Sequence, residues 1–97
     1  MIELTPRAEQ QVRELGAAYA RLERPEAIRN LVAVVAEAAR LIERNPSAGL
    51  PAPRPYPALA RPGQAWIKVG PYWIRYRRTP PAITGVFHER ADIPGRA

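Results

Sequence analysis

AWIKVGPYWIRYRRTPPAITGVFHER, residues 65–90, decides the fold. Its apolar residues recur at every second position in three runs: residues 65–69, 72–78 and 82–88. A period of two belongs to β-strands, whose successive side chains leave on opposite faces. Gly70-Pro71 and Thr79-Pro80-Pro81 break the runs where turns are needed. The stretch therefore predicts three consecutive antiparallel strands. Parity assigns Ala65, Ile67, Val69, Tyr72, Ile74 and Tyr76 to a core face. It assigns Trp66, Lys68, Trp73, Arg75 and Arg77 to an outer, basic and aromatic surface. Both tryptophans, the only histidine, the only lysine and four of the fourteen arginines lie in this stretch. Function is expected on or beside this sheet.

Upstream, Ile2-Glu3-Leu4 is long enough for one short strand. Thr5-Pro6 then reads as a helix start, a hydroxyl N-cap followed by proline at the first helical position. Ala8, Val12, Leu15, Tyr19 and Leu22 step by four and three, predicting a helix over about Pro6 to Leu22 with one packing stripe. Arg24-Pro25-Glu26 ends it and starts a second helix, striped by Ile28, Leu31, Val32, Val35, Ala39 and Ile42 and ending before Asn45-Pro46. So short a connection folds the two, each about 25–30 Å long at 1.5 Å per residue, into an antiparallel hairpin. Alanines at 33, 36, 38 and 39 allow close approach to the second helix. Residues 46–62 contain six prolines in seventeen positions and can form neither a helix nor an inner strand. An extended crossover anchored by Leu50, Tyr56 and Leu59 is expected, with a polar tail after His88 lying along the surface or fraying. The fold class is thus α+β in a single domain, 1–97: an N-terminal strand and a helical hairpin packed on a C-terminal three-stranded antiparallel sheet.

Composition narrows the function. There is no cysteine and only one histidine, which excludes disulfides, thiolate–metal chemistry and a multi-histidine metal site. No cofactor is expected. No run approaches the ~20 apolar residues of a membrane span, so a soluble, cytoplasmic protein is expected. The net charge of +6 is unevenly placed. Residues 1–50 carry seven arginines and seven glutamates, whereas residues 51–97 carry eight basic residues against Glu89 and Asp92. A one-sided positive field points to an anionic partner, nucleic acid or an acidic protein segment; the alternative is a solubilising surface. Arginine in place of lysine suits planar, bidentate contacts.

The order strand, helical hairpin, proline-rich crossover and three strands resembles the RelE/ParE toxin superfamily over essentially the whole chain. Gly70-Pro71-Tyr72-Trp73-Ile74-Arg75-Tyr76-Arg77 resembles the family's Gly-x-Tyr-Arg-(apolar)-(apolar)-Tyr strand. Residues 85–94, GVFHERADIP, resemble the (apolar)-x-His-x-Arg-x-Asp ending of its ParE branch, and residues 44–53, RNPSAGLPAP, match the connection after the second helix. The resemblance implies the toxin of a bacterial toxin–antitoxin pair, neutralised by a small ParD-like antitoxin. It implies one of two targets: DNA gyrase for ParE-like members, or messenger RNA in the ribosome for RelE-like members. Trp73 stands where the nucleases carry an arginine, and an indole cannot stabilise charge on a cleaved phosphate.

Two readings follow. Metal-free RNA cleavage needs a base, an acid and cations on the phosphorane; Arg75, His88 and Arg90 are the candidate catalytic residues. His88 and Glu89 are neighbours in a strand and face opposite ways, which opposes a dyad; a hydrogen-bonded structural histidine is the plainer reading of His88. A gyrase-binding toxin needs only a rigid surface with aromatic and arginine anchors, for which Trp66, Lys68, Trp73, Arg75, Arg77 and Arg90 are the binding candidates, with burial an equal alternative for either indole. The second reading is favoured. The antitoxin is expected to present an acidic, amphipathic segment to the helical hairpin or a sheet edge.

Overall fold

A computed structural model describes residues 2–97. Four strands, β1 (Glu3–Leu4), β2 (Gln64–Val69), β3 (Tyr72–Arg77) and β4 (Ala82–His88), form one sheet in the order β1-β4-β3-β2. The pairs β2/β3 and β3/β4 are antiparallel, as the alternation predicts, whereas β1 runs parallel to β4. The sheet is therefore four-stranded and mixed, correcting the three-stranded antiparallel expectation. β1 joins it because the helical hairpin returns the chain by a crossover, a connection that allows parallel pairing. With β1 only two residues long, Gln11 of the first helix completes part of that side, its Oε1 accepting from the Val86 N–H at 2.9 Å.

Helices α1 (Pro6–Arg21) and α2 (Pro25–Arg44) lie against one face. Thr5 caps α1, its Oγ1 accepting from the Ala8 N–H at 3.3 Å. The core beneath them gathers Ala8, Leu31, Ala38 and Ile42 with Tyr72, Ile74, Tyr76, Ile83 and Val86. Two stripe positions depart from expectation. Leu22 closes α1 and is 67% exposed, and Val32 is 61% exposed, while Val34 and Ala38 turn inward instead. α2 is thus rotated relative to its sequence-derived stripe; its two neighbours, α1 and the sheet, draw in different sides of a helix that is apolar over a wide arc.

The opposite face of the sheet is covered as well. Trp66, Trp73 and Phe87 are each at most 3% exposed and form a second core with Ile93. Leu50, Tyr56 and Leu59 of the crossover pack over them. Leu50 and Trp66 exchange two backbone hydrogen bonds of 2.7 Å, which fastens the crossover to the edge strand β2. The tail does not fray: residues Ile93–Arg96 form a short helix, α3, and Ile93 is fully buried. The expected outer surface of indoles is corrected accordingly. Three large rings on one face would expose a patch of several hundred Å², and the crossover and tail remove it from water.

Candidate functional site

Arg75 is the centre of the outer face. Across the strand pair it faces Gly85, where a Cβ would collide with the Phe87 ring and stand 3.2 Å from Arg75 Nη2. The glycine leaves the guanidinium room to lie over the Trp66 and Phe87 rings, at 5.7 and 5.5 Å from their centroids. Arg75 Nε donates to Thr84 Oγ1 at 3.0 Å and Nη2 to the Thr84 carbonyl at 2.9 Å. Thr84 in turn donates to Gln64 Oε1 at 3.1 Å. Arg75 makes no ion pair among the described residues. Burial, with nearby Arg7 adding to it, lowers its pKa from the ordinary arginine value. Trp73 carries a second cation, the exposed Arg54, 5.7 Å from its ring centroid.

The remaining binding candidates are dispersed. Lys68 is paired with Glu89 at 3.1 Å. Arg77 is exposed beside the β3–β4 turn and donates to the Pro80 carbonyl at 2.9 Å. Arg90 is exposed beyond the end of β4. The structure thus brings Trp66, Trp73 and Arg75 together, with both indoles buried, and sets Lys68, Arg77 and Arg90 apart on the surface.

The catalytic candidates are not assembled either. His88 pairs across the sheet with Tyr72, and the two rings meet edge to face at 5.3 Å. That places it on the helix side, where it shares a cavity of about 340 Å³ with Gln11 and Leu15 of α1. Phe87, its neighbour, faces the outer core with Arg75. The sheet separates the single histidine from the Arg75 guanidinium. His88 Nδ1 accepts from the Arg90 backbone N–H at 3.1 Å, so the histidine holds the turn after β4. Beside it the Tyr19 and Tyr72 hydroxyls lie 2.5 Å apart. Burial first, and the bond to Tyr19 second, raise the Tyr72 pKa well above its ordinary value. No group of three or more His, Cys, Asp or Glu that could hold a metal occurs among the described residues. No described helix is long and apolar enough to cross a membrane.

Sequence reasoning missed an apolar groove. Ile2 and Leu4 from the first strand segment, Val12 from α1 and Val32, Val35 and Ala36 from α2 line an open depression of about 570 Å³. Its signal was the apolar surplus of α2, where Val32 and Val34 lie on opposite sides of the helix and cannot both turn inward. The groove adjoins β1, an edge strand of the sheet.

The model for the family described as "ParE toxin of type II toxin-antitoxin system, parDE" matches residues 2–92, almost the whole of the 97-residue chain. No curated protein matches the chain significantly.

Proposed function

We infer that this chain, which belongs to the ParE toxin family of type II toxin–antitoxin systems, inhibits DNA gyrase by binding it and not by cutting RNA. The observation that carries this reading is the sheet's division of chemistry. His88, the sole histidine, lies on the helix side with its Nδ1 committed to the Arg90 N–H, while Arg75 lies on the other face. A general base and the cation that would stabilise the phosphorane must both reach one phosphate. Trp73, at the family's arginine position, is 3% exposed and serves as packing. A binding toxin needs none of this machinery. It needs a stiff framework, and two cores on the two faces of one sheet support that. The exposed cations Lys68, Arg77 and Arg90 then supply the contacts that steer and orient a partner.

The family implies an antitoxin partner, and its docking place in this reading is the groove beside β1. An acidic amphipathic segment would lay apolar side chains on Leu4, Val12, Val32 and Val35, with Glu43 and the Glu37-paired Arg40 at the rim. The +6 charge of the toxin would speed the encounter. Induction of the toxin without its antitoxin tests the target. DNA damage with intact messenger RNA is expected. Cleavage of messenger RNA in register with codons, abolished by His88→Ala, would establish the nuclease reading instead.

A further inference from the structure

Three arginines converge at the end of the sheet where β3 turns into β4. Arg77, the last residue of β3, is exposed; its Nε donates to the Pro80 carbonyl, and its two Nη groups have no partner among the described residues. Arg78 follows it, half-buried. Its backbone N–H donates to the Gly63 carbonyl at 3.1 Å, and its Nη2 reaches the Gly49 carbonyl only at 3.5 Å. The Tyr76 hydroxyl bonds to Pro46 and Gly49 and so draws the C-terminus of α2, with exposed Arg44, to the same end. None of the three is ion-paired among the described residues. No acid occurs in residues 51–88. The nearest acids by position are Glu43 and Glu3. Adjacent residues of a helix do not face each other, which turns Glu43 away from Arg44. Glu3 pairs with Ala82 on the far side of β4 from Arg77, two strand spacings or about 9–10 Å off. That exceeds the screening length of about 8 Å at physiological salt. Arg61 borders this end but turns its Nη1 onto the Ala58 and Ala60 carbonyls and shares a cavity with Ala97, so it adds less.

We propose that Arg44, Arg77 and Arg78 bind the phosphate backbone of duplex DNA without reading its sequence. Unpaired cations of one sign attract any polyanion, and the surroundings of these three select a duplex. Their planar guanidinium forks take phosphate oxygens in pairs. An acidic protein segment would need a cluster of apolar anchors at the centre of its contact. The neighbours here are Gly63, Thr79 and Pro80, and of the exposed large apolar residues Leu22, Val32 and Leu41 only Leu41 lies within a turn of Arg44. Single strands are gripped by stacking bases on accessible aromatic rings, whereas every aromatic residue among those described is buried or half-buried. Backbone contact needs cations alone, and that is what this end of the molecule offers. The proposal deepens the gyrase reading, since a toxin acting on gyrase with DNA bound would meet both; binding to the duplex itself does not require gyrase.

The test is fluorescence anisotropy of a labelled short DNA duplex titrated with the purified full-length toxin at several salt concentrations, in the absence of gyrase. Binding equal for unrelated sequences is expected, with the logarithm of the association constant falling against that of salt at a slope of about −3, near −0.9 for each phosphate neutralised. Arg44→Gln and Arg77→Gln, both at exposed positions, should each weaken low-salt binding severalfold and flatten the slope by about one. Arg29→Gln removes the same charge near the other end of α2 and should leave the slope unchanged. An equal loss in Arg29→Gln would reduce the effect to net charge and overturn the proposal. No binding at low salt, a slope unchanged in both patch variants, or tighter binding to single-stranded RNA of the same length would overturn it as well. A gyrase effect that persists in a toxin without duplex binding would overturn this proposal alone and leave the target reading standing. Duplex binding by a toxin with no effect on gyrase would support it and overturn the target reading instead.

Discussion

Removing one oxygen at Tyr76 should destabilise the whole molecule. Tyr76 is fully buried in β3. Its hydroxyl donates to the Pro46 carbonyl at 2.7 Å and accepts from the Gly49 N–H at 3.0 Å. These bonds hold the start of the crossover against the sheet, and the crossover roofs Trp66 and Trp73. Tyr76→Phe keeps the ring and orphans both backbone groups. Two bonds lost at about 0.5–1.5 kcal/mol each give about 1–3 kcal/mol. Pro46 and Gly49 are only partly buried, so water can reach them after some loosening; about 2 kcal/mol is the expected cost. For a domain of this size each kcal/mol lowers Tm by about 4–8 °C, so a fall of about 8–16 °C is predicted. Urea denaturation followed by circular dichroism should show a lower midpoint at unchanged slope. Amide exchange at Gly49 and Leu50 should accelerate more than exchange in the helices. A midpoint within ~0.5 kcal/mol of the parent would refute the claim that these two bonds fasten the crossover.

Two further outcomes are expected. Ile93→Ala removes the tail's contribution to the outer core, where the side chain is fully buried beside Trp66, Trp73 and Phe87; a loss of about 2–4 kcal/mol and a red shift of tryptophan emission should accompany it, and unshifted emission would show that the tail does not roof the indoles. Because Tyr72 holds its proton more tightly folded than unfolded, its contribution is complete below the ordinary tyrosine value of about 10 and is lost as pH rises beyond it toward the raised folded value. Stability should therefore fall with pH above about 10, and Tyr72→Phe should flatten that part of the profile in melts taken at several alkaline pH values.

Local pattern carried the elements further than it carried their assembly. The strand runs, the Thr5-Pro6 cap and the Pro25 restart are statements about neighbouring residues, and β2, β3, β4, α1 and α2 fall where those signals put them. The pairing of β1 with β4 joins Glu3 to Ala82, a contact that neither segment encodes alone. The outer face shows the same limit in another form. Alternation put Trp66 and Trp73 opposite the helix-facing residues, which is where they are, but it does not say what lies above them. Leu50, Tyr56 and Leu59 were legible as anchors without a visible counterpart; Ile93, a single apolar residue in a polar tail, gave no periodic signal at all. The surroundings of Arg75 depend on strand register, which sets Thr84 and Gln64 beside it, as well as on that roof, so spacing alone could not assemble them. The separation of His88 from Arg75, by contrast, follows from the alternation itself once Tyr72 is paired with His88, because the register runs unbroken from there to Arg75 opposite Gly85.

The most direct test of the account is a cleavage assay with purified gyrase, supercoiled DNA and the purified toxin. The account predicts that the toxin traps covalent gyrase–DNA complexes, seen as linear DNA after denaturation and protease treatment. It also predicts that prior addition of the antitoxin abolishes the effect, and that charge reversal at Lys68, Arg77 and Arg90 together weakens it. Gyrase turnover unaffected by the toxin, alongside messenger RNA cleaved on translating ribosomes by the same preparation, would contradict it.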